Sequence, residues 1–212
     1  MAVYDLEEQE QIDELKAWWK QYGKLVIAAI AALLVGLAAV QGWHYYRQQQ
    51  SLQAAGLYAE MKQALQDNDV KKAKASAGVI MDKFSSSGYA PMAALMSAKL
   101  SFDAGDLASA KAQLQWAIDH AREDELKDLA RLRLAAVALD EKKYAEALQL
   151  LEAKHAESFD NLYADLKGDV FVAQGNQAEA RAAYQTALDK SDAGSQYRGV
   201  IQLKMDALGD AK

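Results

Sequence analysis

The 212-residue chain is 51% hydrophobic and 25% charged, with a formal net charge of -6 at pH 7. This acidic balance argues against the electropositive surface that neutralises a phosphate backbone, so no nucleic acid partner is expected. The absence of cysteine excludes disulfides, thiolate catalysis and zinc-thiolate sites. Because Pro91 is the one proline and alanine is frequent, we predict an all-α fold.

Residues 1–24 are expected to form an amphipathic cytoplasmic tail. Apolar side chains recur there at spacings of three and four residues, which is typical of a helix: Ile12, Leu15, Trp19 and Tyr22. Three lysines follow one face toward the C-terminal end of the tail, where they can meet anionic lipid headgroups: Lys16, Lys20 and Lys24. Two interpretations stay open: a solvated helix that leads into the next segment, and a helix that docks a cytosolic protein.

Residues 25–44 are predicted to form one transmembrane helix. The stretch from Leu25 to Gly42 is almost entirely apolar, and at 1.5 Å per residue its 18 residues span about 27 Å, close to the hydrocarbon thickness. Aromatic residues flank it on both sides, as in a membrane protein: Trp18, Trp19 and Tyr22 before it, and Trp43, Tyr45 and Tyr46 after it. A cleaved signal peptide is the alternative, but the first 24 residues carry six acids against three lysines, unlike a basic leader.

The flanking basic residues predict the orientation of this helix. Three lysines precede it and only Arg47 follows closely, so the positive-inside rule places the N-terminus in the cytoplasm. Residues 45–212 would then lie in the periplasm of a bacterial inner-membrane protein. The inverted topology stays open.

Small residues recur every fourth position within the apolar stretch, at Ala28, Ala32 and Gly36. They share one helix face, which would let another transmembrane helix approach closely. We therefore predict a transmembrane partner face there. The alternative is that alanine is simply common in this segment.

After the apolar stretch, four polar breaks divide the chain into paired helical segments: Asp67 to Val70, Ala104 to Leu107, Glu141 to Tyr144 and Gln174 to Gln177. Three residues beyond each break stands an alanine, at intervals of 37, 37 and 33: Ala73, Ala110, Ala147 and Ala180. Two-helix units of this period predict a tetratricopeptide-like α-solenoid of about four helical hairpins. An irregular alanine-rich bundle is the alternative.

Small and larger apolar residues recur at matching positions of these units, and we expect them to pack the helix crossings. The predicted repeat-packing residues are Ala110, Leu114, Ala117, Ala147, Leu151, Gly168, Phe171, Ala180, Tyr184 and Ala187. The first unit, with Ala73, Ala77 and Ile80, matches least well, as expected for a terminal repeat. The segment from Gln196 to Leu208 is predicted to close the stack.

No pattern indicates catalysis. The three histidines are scattered, and the glycines form no phosphate-binding loop, so we predict no catalytic residue, metal site or cofactor. Methionines near two tyrosines form a candidate protein-binding surface, because flexible thioethers adapt to varied partners: Tyr58, Met61, Tyr89, Met92 and Met96. The alternative is that these residues pack the first two repeats.

Four passages resemble the YfgM family, the ancillary subunits of the bacterial Sec translocon: WWKQYG, GWHYYR, LARLRLAAV and LYADLKGDVFVAQGNQAEARAAYQTAL. The resemblance implies an inner-membrane protein that associates with SecYEG, with a periplasmic chaperone of the PpiD type and with membrane lipid. It would help to hand exported client proteins to periplasmic chaperones. The family also implies a cytosolic regulatory role for the tail. Two alternatives are a membrane-anchored scaffold that never contacts clients, and an enzyme subunit.

Overall fold

The computed structural model describes residues 3–209, together with the side chains of residue 8 and residues 10–209. Within that range the protein is all-α, as predicted. Nine α-helices are described: α1 (Val3–Gln66), α2 (Val70–Lys83), α3 (Tyr89–Asp103), α4 (Leu107–His120), α5 (Asp124–Asp140), α6 (Tyr144–Leu151), α7 (Asp160–Ala173), α8 (Gln177–Asp189) and α9 (Tyr197–Asp206). A 3₁₀ turn, Glu157–Phe159, precedes α7.

The chain divides into two compact units, residues 1–49 and residues 50–212. The described part of the first unit is entirely helical and contains the apolar stretch, of which no side chain is buried and all but that of Val26 are exposed. A core helix of a soluble domain would bury such side chains. Among the described residues, this is the one helix long and apolar enough to cross a membrane.

In the second unit, the four predicted breaks form four turns of the same conformation. Its second residue has a left-handed backbone in every case: Asn68 (φ 57°), Gly105 (φ 75°), Lys142 (φ 59°) and Gly175 (φ 80°). The next residue donates its backbone N–H to the carbonyl five residues back, as Asp106 does to Ser101 at 2.9 Å. This pattern satisfies the last carbonyls of the first helix and reverses the chain. The four hairpins therefore share one register, which confirms the predicted solenoid.

The second helix of each hairpin begins directly after this turn. Asp69 and Asp106 cap α2 and α4, because their carboxylates accept the backbone N–H groups of Lys72 and Ser109 at 2.9 and 3.0 Å. The hydrogen bond from Ser109 lowers the pKa of the Asp106 carboxyl. Lys143 holds the corresponding position before α6 and supplies no such cap.

The core follows the hairpins as a series of four adjoining clusters. Alanines, as at Ala73, Ala110, Ala147 and Ala180, are fully buried where helices cross. Larger side chains fill the space between crossings, among them Ile80, Leu114, Leu151, Tyr163, Tyr184 and Ile201. Trp116 packs against both of the first two clusters, and Leu150 packs against the second and the third. Helix α9 covers the last cluster, as expected for a closing helix.

The third hairpin departs from the pattern because α6 is only 8 residues long. Lys154 stands where the other units place a small or apolar residue, and the chain leaves the helix before reaching it. The buried Asp128 stabilises the irregular segment that follows. Its carboxylate accepts the backbone N–H of Ala156 at 2.9 Å and pairs with Arg131 at 2.7 Å.

Lys142 is the expected weak point of the repeated turn. A left-handed backbone destabilises the folded chain by about 1 to 2 kcal/mol when the residue is not glycine. Glycine removes this strain, but its greater freedom in the unfolded chain offsets part of the gain. We expect Lys142→Gly to raise the free energy of unfolding by about 0.5 kcal/mol. Chemical denaturation of the detergent-solubilised chain measures this. Gly175→Ala is the matched control and should lower it by about 1 kcal/mol; equal effects of both changes would contradict the interpretation.

Candidate protein-binding site

The methionine and tyrosine cluster predicted as a binding surface lies largely in the core. Met61 is fully buried between α1 and α2, because it occupies the crossing position that Ala98 holds in the next hairpin. The rings of Tyr58 and Tyr89 pack together at 5.5 Å, and Met96 packs against the same core cluster. Met92 is 38% exposed. Of these residues Met92 alone offers substantial apolar surface, and Met61 offers none to a partner.

The small residues predicted as a transmembrane partner face, Ala28, Ala32 and Gly36, are exposed in the first unit. A Cβ atom placed on Gly36 would meet no heavy atom within 4 Å. This face is therefore open to close approach by a second helix.

A cleft of about 270 Å³ opens between α3, α4 and α5. Its floor is apolar and is formed by residues from all three helices: Ala98, Leu114, Ala136 and Val137. Phe102 stands at its edge and is 38% exposed. An apolar cleft with few polar groups is the usual form of a ligand or peptide site.

A single unpaired cation, Arg133, lines this cleft. Its guanidinium donates one long hydrogen bond, 3.4 Å, to the backbone carbonyl of Leu95, and it forms no ion pair with any described residue. Desolvation lowers the pKa of Arg133. Lys99, in the same cleft, is by contrast paired with Asp103 at 2.7 Å. The cleft thus offers a charge that its own residues do not neutralise.

A second cleft lies between α5 and α7, where Val172 is 43% exposed. An ionic network stands beside it. Lys204 of α9 binds Asp165 and Asp169 of α7 at 2.7 and 2.8 Å. Two phenol groups complete the network: Tyr197 donates to Asp165 at 2.6 Å, and Tyr184 donates to Asp169 at 2.7 Å. These contacts fasten the closing helix to the last hairpin.

Comparisons with known proteins agree with this architecture. The family described as a tetratricopeptide repeat-like domain matches residues 16–210. A Haemophilus influenzae protein named Ancillary SecYEG translocon subunit is 32% identical over 87% of this chain and 90% of its own length. The chain belongs to the YfgM family. Proteins of the same name from Neisseria gonorrhoeae and Escherichia coli are 31% and 27% identical, over 98% of this chain in both cases and 100% and 99% of their own lengths.

The fold of this YfgM family member also resembles a solved structure. The MamA RS-1 ArsTM double mutant matches 72% of this chain and 85% of its own, with a TM-score of 0.54 and 20% identity. At that identity the likeness concerns the fold. Together with the exposed apolar helix, family membership describes a membrane-anchored protein with a tetratricopeptide-like domain.

The cleft at Arg133 was missed by sequence reasoning, although the shared register contains its signal. The left-handed residues align the hairpins, and in that alignment Arg133 matches Met96 and Leu166 of the neighbouring hairpins. An arginine where flanking repeats of this YfgM family member have apolar side chains marks a position that packing alone does not explain.

The histidines of this YfgM family member lie apart. The ring of His120 stacks on Trp116 at 4.1 Å, and that of His155 stacks on Tyr163 at 3.9 Å. Within residues 3–209, no group of three or more potential ligand side chains could hold a metal ion. A tetratricopeptide-like domain with open clefts suits the binding of other polypeptides.

Proposed function

We propose that this protein is an ancillary subunit of the Sec translocon that binds newly exported chains and helps to pass them to periplasmic chaperones. The observation that carries the proposal is an exposed apolar helix followed by a tetratricopeptide-like domain with an open cleft, in a chain 32% identical to a protein named for SecYEG. Residues 1–24 would be cytoplasmic, residues 25–44 would span the membrane and residues 45–212 would be periplasmic.

The proposed mechanism is non-catalytic. The transmembrane helix holds the domain beside the channel exit, so weak contacts with a client or with a PpiD-type chaperone act at a high effective concentration. Modest affinity lets the client leave again. The tail, with its exposed Trp18 and Trp19, remains free to meet lipid or a cytosolic regulator.

The face formed by Ala28, Ala32 and Gly36 would hold the protein against a helix of the translocon or of its chaperone. Helices associate in membranes through close backbone approach, which small residues permit. Leucine at Gly36 would push such a partner away. Ala38, on a different side of the helix at about 100° per residue, can take the same added bulk without obstructing this face.

Single cysteines test topology and contacts together, because the chain has none of its own. Phe102→Cys in the cleft and Ala17→Cys in the tail are each treated in intact spheroplasts with a membrane-impermeant, photoreactive maleimide. We expect labelling of Phe102→Cys in intact spheroplasts, and of Ala17→Cys only after lysis. On illumination, the Phe102→Cys adduct should crosslink to SecY, to a chaperone and to newly exported chains. Gly36→Leu should reduce the SecY product several-fold, whereas Ala38→Leu should not.

Each other outcome selects an alternative. Labelling of Ala17→Cys alone in intact spheroplasts would invert the topology and refute the proposal. Crosslinks to SecY and a chaperone, but never to exported chains, would identify a scaffold without client contact.

A further inference from the structure

We infer that the cleft between α3, α4 and α5 binds an extended segment of an exported polypeptide in which an aspartate or glutamate lies next to a bulky apolar residue. The inference rests on the proposed function for the source of the segment. It adds the place of binding and the chemistry that is recognised.

The charge of the occupant follows from Arg133. Its guanidinium has five N–H donors, and the described residues supply one acceptor, the Leu95 carbonyl at 3.4 Å. The Arg133 side chain is exposed to solvent beside the apolar lining of the cleft, and this partial desolvation lowers its pKa. An accessible guanidinium without a counterion among the described residues favours a carboxylate, which can accept two parallel hydrogen bonds. Lys99 does not compete for this carboxylate, because Asp103 already neutralises it.

The apolar part of the occupant follows from the cleft floor. Ala98, Leu114 and Val137 line it, and the small side chains of Ala98 and Ala136 leave its space unfilled. The exposed ring of Phe102 can close over an inserted side chain. Because carboxylate and apolar subsites share one cleft, the two recognised groups must be close in the bound segment.

The size of the cleft selects an extended segment. At about 270 Å³ it is at the lower limit of ligand pockets and admits one or two side chains. An α-helix, about 10 Å across with its side chains, needs a wider groove. An unfolded chain leaving a channel can present such a short segment without prior unfolding.

The test uses the full-length protein in lipid nanodiscs and two labelled peptides of Gly and Ser, one with a Leu-Asp-Phe centre and one with Leu-Asn-Phe. Fluorescence anisotropy measures both dissociation constants. We expect the aspartate peptide to bind about tenfold more tightly, because a charge-assisted hydrogen bond replaces a neutral one. Arg133→Gln should abolish this ratio, and Arg133→Lys should retain part of it.

Two matched variants distinguish recognition by Arg133 from nonspecific electrostatic and hydrophobic binding. Lys99→Gln combined with Asp103→Asn removes the ion pair of the same cleft without changing the net charge, and should keep the tenfold ratio because Arg133 is untouched. Ala136→Leu fills the floor and should weaken both peptides equally. Circular dichroism establishes that each variant is folded.

Equal binding of both peptides, no binding of either, or an unchanged ratio in Arg133→Gln would overturn the inference. Concentration-dependent self-association that Arg133→Gln abolishes would assign the cleft to a second copy and would overturn it too. Crosslinking to newly exported chains from Phe102→Cys does not depend on the peptides. If that product persists while the peptides fail, the proposed function survives and this inference does not.

Discussion

Replacing Gly168 with alanine is expected to destabilise the last hairpin by about 3 kcal/mol. A Cβ atom there would overlap the ring carbons of Tyr184, where α7 and α8 cross. The ring cannot easily move, since it is 2% exposed and its hydroxyl donates to Asp169 at 2.7 Å. Thermal and urea unfolding of the solubilised chain, followed by circular dichroism, measure the loss.

Two further variants make this prediction specific. Gly199 is also helical but has open space around its Cβ position, so Gly199→Ala should be neutral or slightly stabilising. The second and third hairpins pair alanine with leucine at this crossing, as Ala135 does with Leu151. Gly168→Ala combined with Tyr184→Leu should therefore recover much of the stability. Failure of the double variant to exceed Gly168→Ala would show that the clash is not the cause.

Removing the Lys204 ammonium should cost a similar amount, about 3 kcal/mol, because it leaves the carboxylate of Asp165 buried without its cation. That carboxylate belongs to a side chain only 5% exposed. We expect Lys204→Ala to lower the free energy of unfolding and to release α9 first. Hydrogen exchange of α9 amides, compared with those of α4, distinguishes local release from general loss.

An apolar replacement of both partners is the informative control. The register places Asp165 where the previous hairpins have Leu95 and Leu132. Asp165→Leu with Lys204→Met should therefore be far less damaging than Lys204→Ala alone. If the double variant had a lower free energy of unfolding than Lys204→Ala, the loss in Lys204→Ala would not come mainly from a buried carboxylate left without its cation.

The same network should make the fold sensitive to alkaline pH. Burial, followed by the hydrogen bond to Asp169, raises the pKa of Tyr184, and burial with the hydrogen bond to Asp165 raises that of Tyr197. For Lys204, desolvation opposes but the hydrogen bonds to both aspartates prevail, so its pKa is raised as well. These raised pKa values stabilise the fold fully when the pH is below the pKa values of the unfolded chain, 10.0 for tyrosine and 10.5 for lysine. The stabilisation is lost as the pH rises through the pKa values of the folded state.

The repeat architecture was predictable from sequence because it depends on local chemistry. The glycines at Gly105 and Gly175 indicate left-handed turns, and an alanine at a fixed distance after each break lies at a helix crossing. The turn at Lys142 was found only through its spacing, since lysine has no preference for that conformation. Local rules were therefore sufficient for the helices and their pairing.

The surfaces were harder to predict because exposure depends on residues distant in sequence. Met61 and Met92 are chemically alike, yet one is fully buried and the other 38% exposed, and only the packing of neighbouring helices decides between them. The cleft beside Arg133 likewise needs three helices to form. Composition indicated that methionine could adapt to partners, but it could not say which methionine meets solvent.

The way neighbouring core clusters meet has a mechanical consequence. Trp116 packs against the first and second clusters and Leu150 against the second and third, so two of the joints between hairpins include one large side chain that reaches both sides. A stack jointed in this manner can bend by small rotations about these two pivots while every hairpin stays closed. The grooved surface would then widen or narrow to follow the varied sequences that a moving chain presents.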